Sequence, residues 1–132
     1  VAQQPVGGAG KPARIGHGVR AIESEDLLAE IKARNLHLEV CPSSNVQVGV
    51  YADYASHPVD RMSRRGLSLS INTDARTVAP LTLSLEYRRL SAAFGWQTGE
   101  FLAHNLEALR HAFLPEEAKA ALGARLIEGW GG

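Results

Sequence analysis

Three short strand-like runs in the sequence are each followed by side chains that could bind a metal ion or activate water. The runs and their polar ends are 14–16 with His17, 36–41 with residues 42–45, and 68–72 with Asp74. Histidine and carboxylate side chains are common zinc ligands, and both also act as general acids and bases. If the three runs are strands that end at one edge of a sheet, these side chains meet there.

Spacing alone leaves a second interpretation open for each candidate. His17 lies between two glycines, where an imidazole can simply satisfy backbone groups, and Asp74 has the residue type of a helix N-cap or a turn. The sequence contains no His-x-His or His-Glu-x-x-His pair that would supply two metal ligands together. His57, which precedes Pro58, is predicted to have a structural role at the junction of a loop and a helix.

The other residues with reactive side chains have simpler explanations. Cys41 is the one cysteine, so it cannot form an internal disulfide or a multi-cysteine zinc site, and we expect it to be a small buried apolar residue. His37 lies inside a predicted strand and is expected to be partly buried with its hydrogen bonds satisfied. His104 and His111 fall in helical segments and are expected at the surface or in packing contacts.

The elements that must position the candidates alternate in type along the chain. Strands are predicted at 14–16, 36–41 and 67–72, helices at about 24–35, 58–66, 81–94, 97–112 and 115–128, and a loop at 46–56. The first helix has Ser24 as its N-cap and acidic residues in its first turn. Short strands that alternate with helices are typical of βα units and a parallel sheet, which indicates the α/β class.

Composition excludes several classes of function. The chain has 132 residues, about one domain, and is 45% hydrophobic. Its 14 basic and 14 acidic residues give a formal net charge of zero, so no overall field attracts nucleic acid or an anionic membrane. No apolar run approaches the roughly 18 residues that a membrane span needs, and we expect a cytoplasmic protein. Residues 1–12, rich in Gly, Gln and Pro, are predicted to be a loop or linker ahead of the domain portion at 13–132.

Three parallel strands are too few to close a barrel, and a parallel sheet is normally covered on both faces. The sequence alone therefore predicts that apolar sheet edge is left exposed. It follows that a missing half should exist, either as a separate polypeptide or as a second copy of the chain.

Four motifs in a fixed order resemble the C-terminal half of the adenosine deaminase family. They are Arg-Ile-Gly-His-Gly at 14–18, Glu-Val-Cys-Pro-Ser-Ser-Asn at 39–45, His-Pro at 57–58 and Ser-Ile-Asn-Thr-Asp at 70–74. A weaker likeness continues through residues 105–113. The resemblance implies a zinc-dependent (β/α)8 TIM barrel in which these stretches are strands six to eight, with the active site at the carboxyl ends of the strands.

The resemblance also implies roles for single residues. Asp74 matches the zinc-ligating aspartate, His17 matches the histidine beside the metal-bound water, and Gly18 and Ala75 fall at substrate-binding positions. Zinc, or another divalent metal, would activate the water that attacks the purine carbon bearing the amine, and ammonia would leave. Ala75 stands where the family usually has Asp, so the substrate stays open between adenosine and another 6-aminopurine nucleoside such as aminodeoxyfutalosine.

The family's remaining zinc ligands and its acid glutamate have no counterpart in this sequence. The resemblance therefore implies that the N-terminal half of the barrel is required for activity, as a separate fragment or a missing segment. The alternative is a non-catalytic half-barrel, retained as a remnant or as an assembly module. Zinc content and ammonia release discriminate between these two hypotheses.

Overall fold

A parallel sheet of three strands lies at the centre of the computed structural model, which describes residues 14–74 and 82–130. The strands are β1 (Arg14–Gly16), β2 (His37–Val40) and β3 (Leu69–Ile71), in the spatial order β1-β2-β3. Both strand pairs are parallel. The predicted α/β class, with three adjacent parallel strands, is confirmed. The predicted linker at 1–12 lies outside the described residues.

Helices connect the strands and follow the last one. They are α1 (Glu25–Ala33), α2 (Pro42–Gln47), α3 (Val59–Arg64), α4 (Leu83–Phe94), α5 (Thr98–Arg110) and α6 (Glu116–Trp130), and a 3-10 helix covers Val19–Glu23. Ser24 caps α1 by accepting a hydrogen bond of 3.3 Å from the N–H of Leu27, as its residue type predicts. No helix in these two ranges is long and apolar enough to cross a bilayer.

Strand register brings the carboxyl ends of the strands to one edge of the sheet. Leu38 is aligned with Ile15 on one side and with Leu69 on the other. Beyond β1, the backbone N–H of His17 donates a hydrogen bond of 2.8 Å to the carbonyl of Glu39. The pairing of β1 with β2 therefore continues to His17 and fixes where that residue leaves the sheet.

The core surrounds β2 and β3. Side chains from these strands, from α3 and from α4 are fully shielded from solvent: Leu38, Val40, Val59, Met62, Leu69 and Leu90 are 0% exposed. Burying an aliphatic side chain of this size stabilises a fold by about 1.5–3 kcal/mol. The buried side chains of β2 and β3 therefore anchor these two strands in the core.

Two buried histidines are used in packing. His37 is 0% exposed, and its ring nitrogens lie 2.9 Å from the hydroxyl of Ser68 and 3.0 Å from that of Ser70. His104 stacks on Trp96 with ring centroids 4.9 Å apart. The expected hydrogen-bonded His37 is confirmed, although its burial is complete rather than partial, and the expected packing role of His104 is confirmed.

One helix, α2, was missed by the sequence-based prediction, which placed a loop from residue 46 onward. The Pro-Ser-Ser-Asn run is rich in residues that favour turns, and it gives no helical periodicity over so short a length. Pro42 occupies the first turn, where its missing N–H has no cost. The N–H of Val48 donates to the carbonyl of Ser44 at 3.0 Å and closes the helix.

Within the described ranges, β1 and β3 each pair with β2 alone, so each has one unpaired edge. Apolar side chains beside β1 face solvent: Leu27 is 44% exposed and Val50 is 46% exposed. An open edge flanked by apolar side chains is a surface that other strands and helices normally cover. This arrangement agrees with the prediction that the chain alone leaves apolar sheet edge exposed.

Candidate active site at the carboxyl ends of the strands

The fold brings the two predicted site residues, His17 and Asp74, together. His17 follows β1 directly, Asp74 follows β3 by three residues, and the strand between them separates the two positions in the sheet. Even so, Nε2 of His17 lies 3.6 Å from Oδ2 of Asp74. Both side chains are a little over one-third exposed, so the pair is open to a ligand.

Both residues adopt the left-handed backbone region that non-glycine residues rarely enter. The φ angle of His17 is 63° and that of Asp74 is 61°. Such conformations persist only where the surrounding structure enforces them, and they are common at active sites. In each case the turn follows a parallel strand, and the two side chains meet beyond the strand ends.

Helix α2 supplies two further side chains to the pair. Ser44 donates a hydrogen bond of 2.8 Å from its hydroxyl to Oδ2 of Asp74. Asn45, which is 5% exposed, places its side-chain amide nitrogen 3.4 Å from Nδ1 of His17. The sequence indicated polar groups after Pro42 but did not assign these two contacts. The sequence feature that could have predicted these contacts is the Ser-Ser-Asn run at 43–45, which follows the end of β2 directly.

His57 is buried behind the site and contacts Asn45. It is 2% exposed and its Nε2 lies 2.9 Å from the side-chain oxygen of Asn45. Its Nδ1 accepts a hydrogen bond of 3.1 Å from the N–H of Val59. Burial lowers the pKa of His57 to about 4, so the ring is neutral at physiological pH. The predicted structural position before Pro58 is confirmed, but the ring also reaches a side chain that contacts His17.

Cys41 lies next to the pair as a buried, protonated thiol. One ligand atom from each of His17, Cys41 and Asp74 can be chosen so that the three lie within 4.8 Å of one another. However, burial and the nearby Asp74 carboxylate raise the pKa of the Cys41 thiol to about 12. Metals bind the thiolate. Cys41 is 6% exposed, which confirms the prediction that it is a buried residue.

The remaining pair has the chemistry of part of a zinc site. Zinc in catalytic sites takes three protein ligands and leaves one position open. The described residues offer one carboxylate and one neighbouring imidazole at this edge, and Ser44 orients the carboxylate. The donor set is therefore compatible with part of a zinc site, since it holds fewer than the three protein ligands of a catalytic zinc.

A second cluster of metal-ligating residues lies at the opposite end of the sheet and is occupied by hydrogen bonds. It consists of His37, Glu107 and His111, whose ligand atoms also lie within 4.8 Å of one another. The hydroxyl of Ser68 lies between them, 2.9 Å from Nδ1 of His37 and 2.5 Å from Oε2 of Glu107. Both nitrogens of His37 are already engaged by serines, so this cluster is a packing network.

A cleft of about 370 Å³ opens beside His17 along β1. Apolar side chains form most of its wall, among them Ile15, Leu38 and Val50. Gly18 contributes backbone to the cleft; its φ is 67°, and an added Cβ would lie 2.9 Å from the side chain of Leu38. The positive φ and this close approach both favour glycine at this position. Ala75 lies outside the described residues.

Comparison with known proteins identifies relatives of the chain. The family model described as "Adenosine deaminase" matches residues 10–129. An adenine deaminase of Rhizobium leguminosarum is 42% identical over 115 residues, which are 87% of this chain and 36% of that protein. The chain thus spans about a third of the length of the curated relatives it matches.

Solved structures of deaminases and of a related hydrolase are also similar to this chain. An adenine deaminase from Arthrobacter aurescens superposes with a TM-score of 0.87 at 26% identity, over 91% of this chain and 37% of that one. A Burkholderia ambifaria amidohydrolase with bound zinc gives a TM-score of 0.77 at 23% identity over 89% of this chain and 33% of that one, a likeness of fold. Barrel enzymes of this kind place their active sites at the carboxyl ends of the strands, which is the edge where His17 and Asp74 meet.

Proposed function

The chain belongs to the adenosine deaminase family. We propose that it supplies His17 and Asp74 to a zinc-dependent active site that hydrolyses the exocyclic amine of a 6-aminopurine. One observation carries the proposal. His17 and Asp74 leave two different strands in the same unusual backbone conformation and meet with 3.6 Å between Nε2 and Oδ2. A pair that only capped local backbone would not need two such turns aimed at each other.

Asp74 would hold the metal ion through its carboxylate. Ser44 donates to Oδ2 of Asp74 at 2.8 Å, which restricts rotation of the carboxyl group. Hydrogen bonds of this type from outside the ligand set orient metal ligands. A zinc ion, when bound, supplies a Lewis acid that makes water a nucleophile at neutral pH.

His17 acts on the attacking water. Its Nε2 faces the Asp74 carboxylate and the open side of the site, so the ring can hydrogen-bond a water held next to Asp74 and stabilise the charge that develops during attack. The other ring nitrogen faces Asn45 and is not available to the substrate. The oxygen of the water replaces the exocyclic amine, and a proton from the same water leaves with the amine as ammonia.

The other part of the site comes from the N-terminal half of the barrel. Three observations on the described part of the chain support this requirement: β1 has an unpaired edge, Leu27 and Val50 are exposed, and only two donor groups meet at His17 and Asp74. The matched region of this chain is 36% of the Rhizobium relative. The partner is therefore the rest of the same barrel, carried by the same polypeptide or by a separate one.

The substrate class is a 6-aminopurine, either as the free base or as a nucleoside. The family description names adenosine, whereas the Rhizobium and Arthrobacter relatives are named for adenine. The position next to Asp74 carries Ala75 in place of the family's usual Asp, so the group that the family uses to contact the purine ring must be replaced. We expect the same site to serve whichever form is bound.

The test uses the natural protein that carries this chain, purified with its metal content measured by mass spectrometry. Ammonia release is assayed with adenine, adenosine and aminodeoxyfutalosine. We expect turnover of at least one of them and about one zinc per active site, with Asp74→Asn losing both zinc and activity. His17→Gln should keep zinc and lose most of kcat.

Asp26→Asn is the matched control, because Asp26 is an exposed residue in the first turn of α1. It should retain both zinc and turnover. A protein that binds no zinc and releases no ammonia from any of the three purines, before any substitution is made, would overturn the enzymatic proposal and leave the non-catalytic half-barrel.

A further inference from the structure

We infer that Asn45 and His57 are positioning residues that fix the ring orientation and tautomer of His17, so that its proton is carried on Nε2 and points at Asp74. The inference about the ring stands on the geometry of a directed hydrogen-bond chain. Its consequence for turnover rests on the proposed function. The hydrogen bonds begin at a backbone group and end at Nδ1 of His17, and each link sets the donor and acceptor of the next.

The first link is a backbone N–H, which can only donate. The N–H of Val59 lies 3.1 Å from Nδ1 of His57. A ring nitrogen that accepts a hydrogen bond carries no proton, so the proton of the neutral His57 ring is on Nε2. The direction of the chain is therefore set by the peptide backbone at the start of α3.

The second link fixes the orientation of the Asn45 amide. Nε2 of His57 lies 2.9 Å from the side-chain atoms of Asn45. Since Nε2–H is a donor, the amide must present its oxygen to His57. Asn45 and His57 are 5% and 2% exposed, so water has little access to either group and a reversed amide would bury two donors against each other.

The third link reaches the site. With its oxygen facing His57, Asn45 presents its NH2 group to His17, where the distance from nitrogen to Nδ1 is 3.4 Å. Nδ1 of His17 must then accept, and the proton of the neutral ring lies on Nε2. That nitrogen is the one 3.6 Å from Oδ2 of Asp74. The proton therefore faces the reacting side of the ring.

Packing holds the two positioning residues in place. The ring of Tyr51 meets the ring of His57 edge-on, with centroids 4.9 Å apart. The carbonyl of Asn45 accepts the N–H of Val50 at 2.9 Å, which ties the end of α2 to the following loop. Groups of this kind orient an active-site imidazole without touching the substrate.

The tautomer of His17 can be read directly by NMR. The protein is labelled with 15N in its histidine rings and studied in the natural form that carries this chain, at pH 8, above the ordinary histidine pKa of about 6.5. Protonated and unprotonated ring nitrogens give well-separated 15N signals. His17→Gln and His57→Gln assign the two rings. We expect Nε2–H for both residues.

Asn45→Asp is the decisive variant, because a carboxylate can only accept. It can still accept from Nε2–H of His57, but it turns Nδ1 of His17 from an acceptor into a donor. We expect the His17 signal to change to the Nδ1–H tautomer while that of His57 stays. Asn35→Asp makes the same chemical change at an exposed position and should leave both rings unaltered.

The catalytic consequence is measured separately. Asn45→Asp should lower kcat by about 10- to 100-fold, as is usual for partners behind an active-site group, with a smaller change in KM. His57→Leu removes the donor to Asn45 and should lower kcat, whereas His57→Gln keeps a donor at that place and should recover part of the loss.

Each outcome has one meaning. If wild-type His17 carries its proton on Nδ1, or if Asn45→Asp leaves its tautomer unchanged in a folded protein, the inference is wrong whatever the activity. If the tautomers change as expected and no purine is deaminated by the wild type, the positioning stands and the proposed function fails. A folded Asn45→Asp protein with an altered tautomer and full kcat would remove the catalytic consequence alone.

Discussion

The carboxylate of Glu86 accepts a hydrogen bond of 2.9 Å from the backbone N–H of Ser43, at the start of α2. Glu86 is 0% exposed and lies in α4, so the contact joins two elements that are 43 residues apart in the chain. Its other oxygen, Oε2, has no hydrogen-bond partner among the described residues. This buried acid holds the N-terminus of the helix that carries Ser44 and Asn45.

Two effects on Glu86 oppose each other, and burial is the larger. Its hydrogen bonds with Ser43 and the nearby Arg89 favour the charged form, but burial raises the pKa of the carboxyl above its ordinary value. The folded state therefore binds the proton more tightly than the unfolded state. The contribution of Glu86 to the free energy of unfolding must then fall as the pH rises from the ordinary pKa of a glutamate toward the raised value.

Glu86→Gln is predicted to remove this loss. Relative to the wild type, the variant should become more stable as the pH is raised from 4 to 7, because a neutral amide does not have to ionise in the core. Urea unfolding at the two pH values measures the change. Glu128→Gln, at an exposed position in α6, is the control and should show no such trend. Equal pH profiles for wild type and Glu86→Gln would contradict the assignment.

Ser44→Ala is predicted to weaken zinc binding. The hydroxyl of Ser44 donates to Oδ2 of Asp74 at 2.8 Å, and loss of such a contact typically lowers metal affinity by about 10- to 100-fold. Competition with a chelator of known affinity measures the change. Ser84→Ala, on an exposed turn of α4, should bind zinc as the wild type does. Unchanged affinity in Ser44→Ala would mean that the hydroxyl does not orient the ligand.

The sequence predicts the parts of this fold that have local signals. Short strand-like runs predict the strands at 14–16 and around residues 38 and 70, and the Ser24 cap predicts α1. The meeting of His17 and Asp74 followed from the rule that parallel strands end at one edge. These predictions need only the order and type of elements.

The contacts behind the site needed three-dimensional information. Asn45 reaches His57 across 12 residues and His17 across 28, and no periodicity encodes either distance. Helix α2 is too short to show an amphipathic pattern, so the side chains that it directs at the site were not assigned individually. The neighbouring Pro58 predicts that His57 lies at a turn, but it does not predict the direction of the His57 ring.

Gly18→Ala is predicted to destabilise the fold by about 2 kcal/mol or more. The left-handed conformation costs a residue with a Cβ roughly 1–2 kcal/mol, and here the φ is 67° and the new Cβ would lie 2.9 Å from Leu38. Gly99→Ala is the matched control, because Gly99 lies in α5 with nothing within 4 Å of an added Cβ. That change should stabilise by roughly 0.5–1 kcal/mol. Thermal unfolding of both variants tests whether Gly18→Ala lowers the stability and Gly99→Ala raises it.

Acid is predicted to destabilise the protein through two buried histidines, His37 and His57. Burial lowers the pKa of each ring from its ordinary value of 6.5 to about 4. The unfolded chain therefore binds more protons than the folded one in this range, and the free energy of unfolding falls as the pH decreases from about 6.5 to about 4. Each ring should contribute on the order of 1–3 kcal/mol.

Urea unfolding at pH 8, 6, 5 and 4.5, with EDTA present so that metal release does not contribute, measures this slope. His37→Gln and His57→Gln should each flatten it, because a glutamine has no proton to gain. The two rings have no hydrogen-bond partner in common, so the double variant should flatten the slope by the sum of the two effects. If the single variants run parallel to the wild type over this range, the acid lability has its origin in other groups.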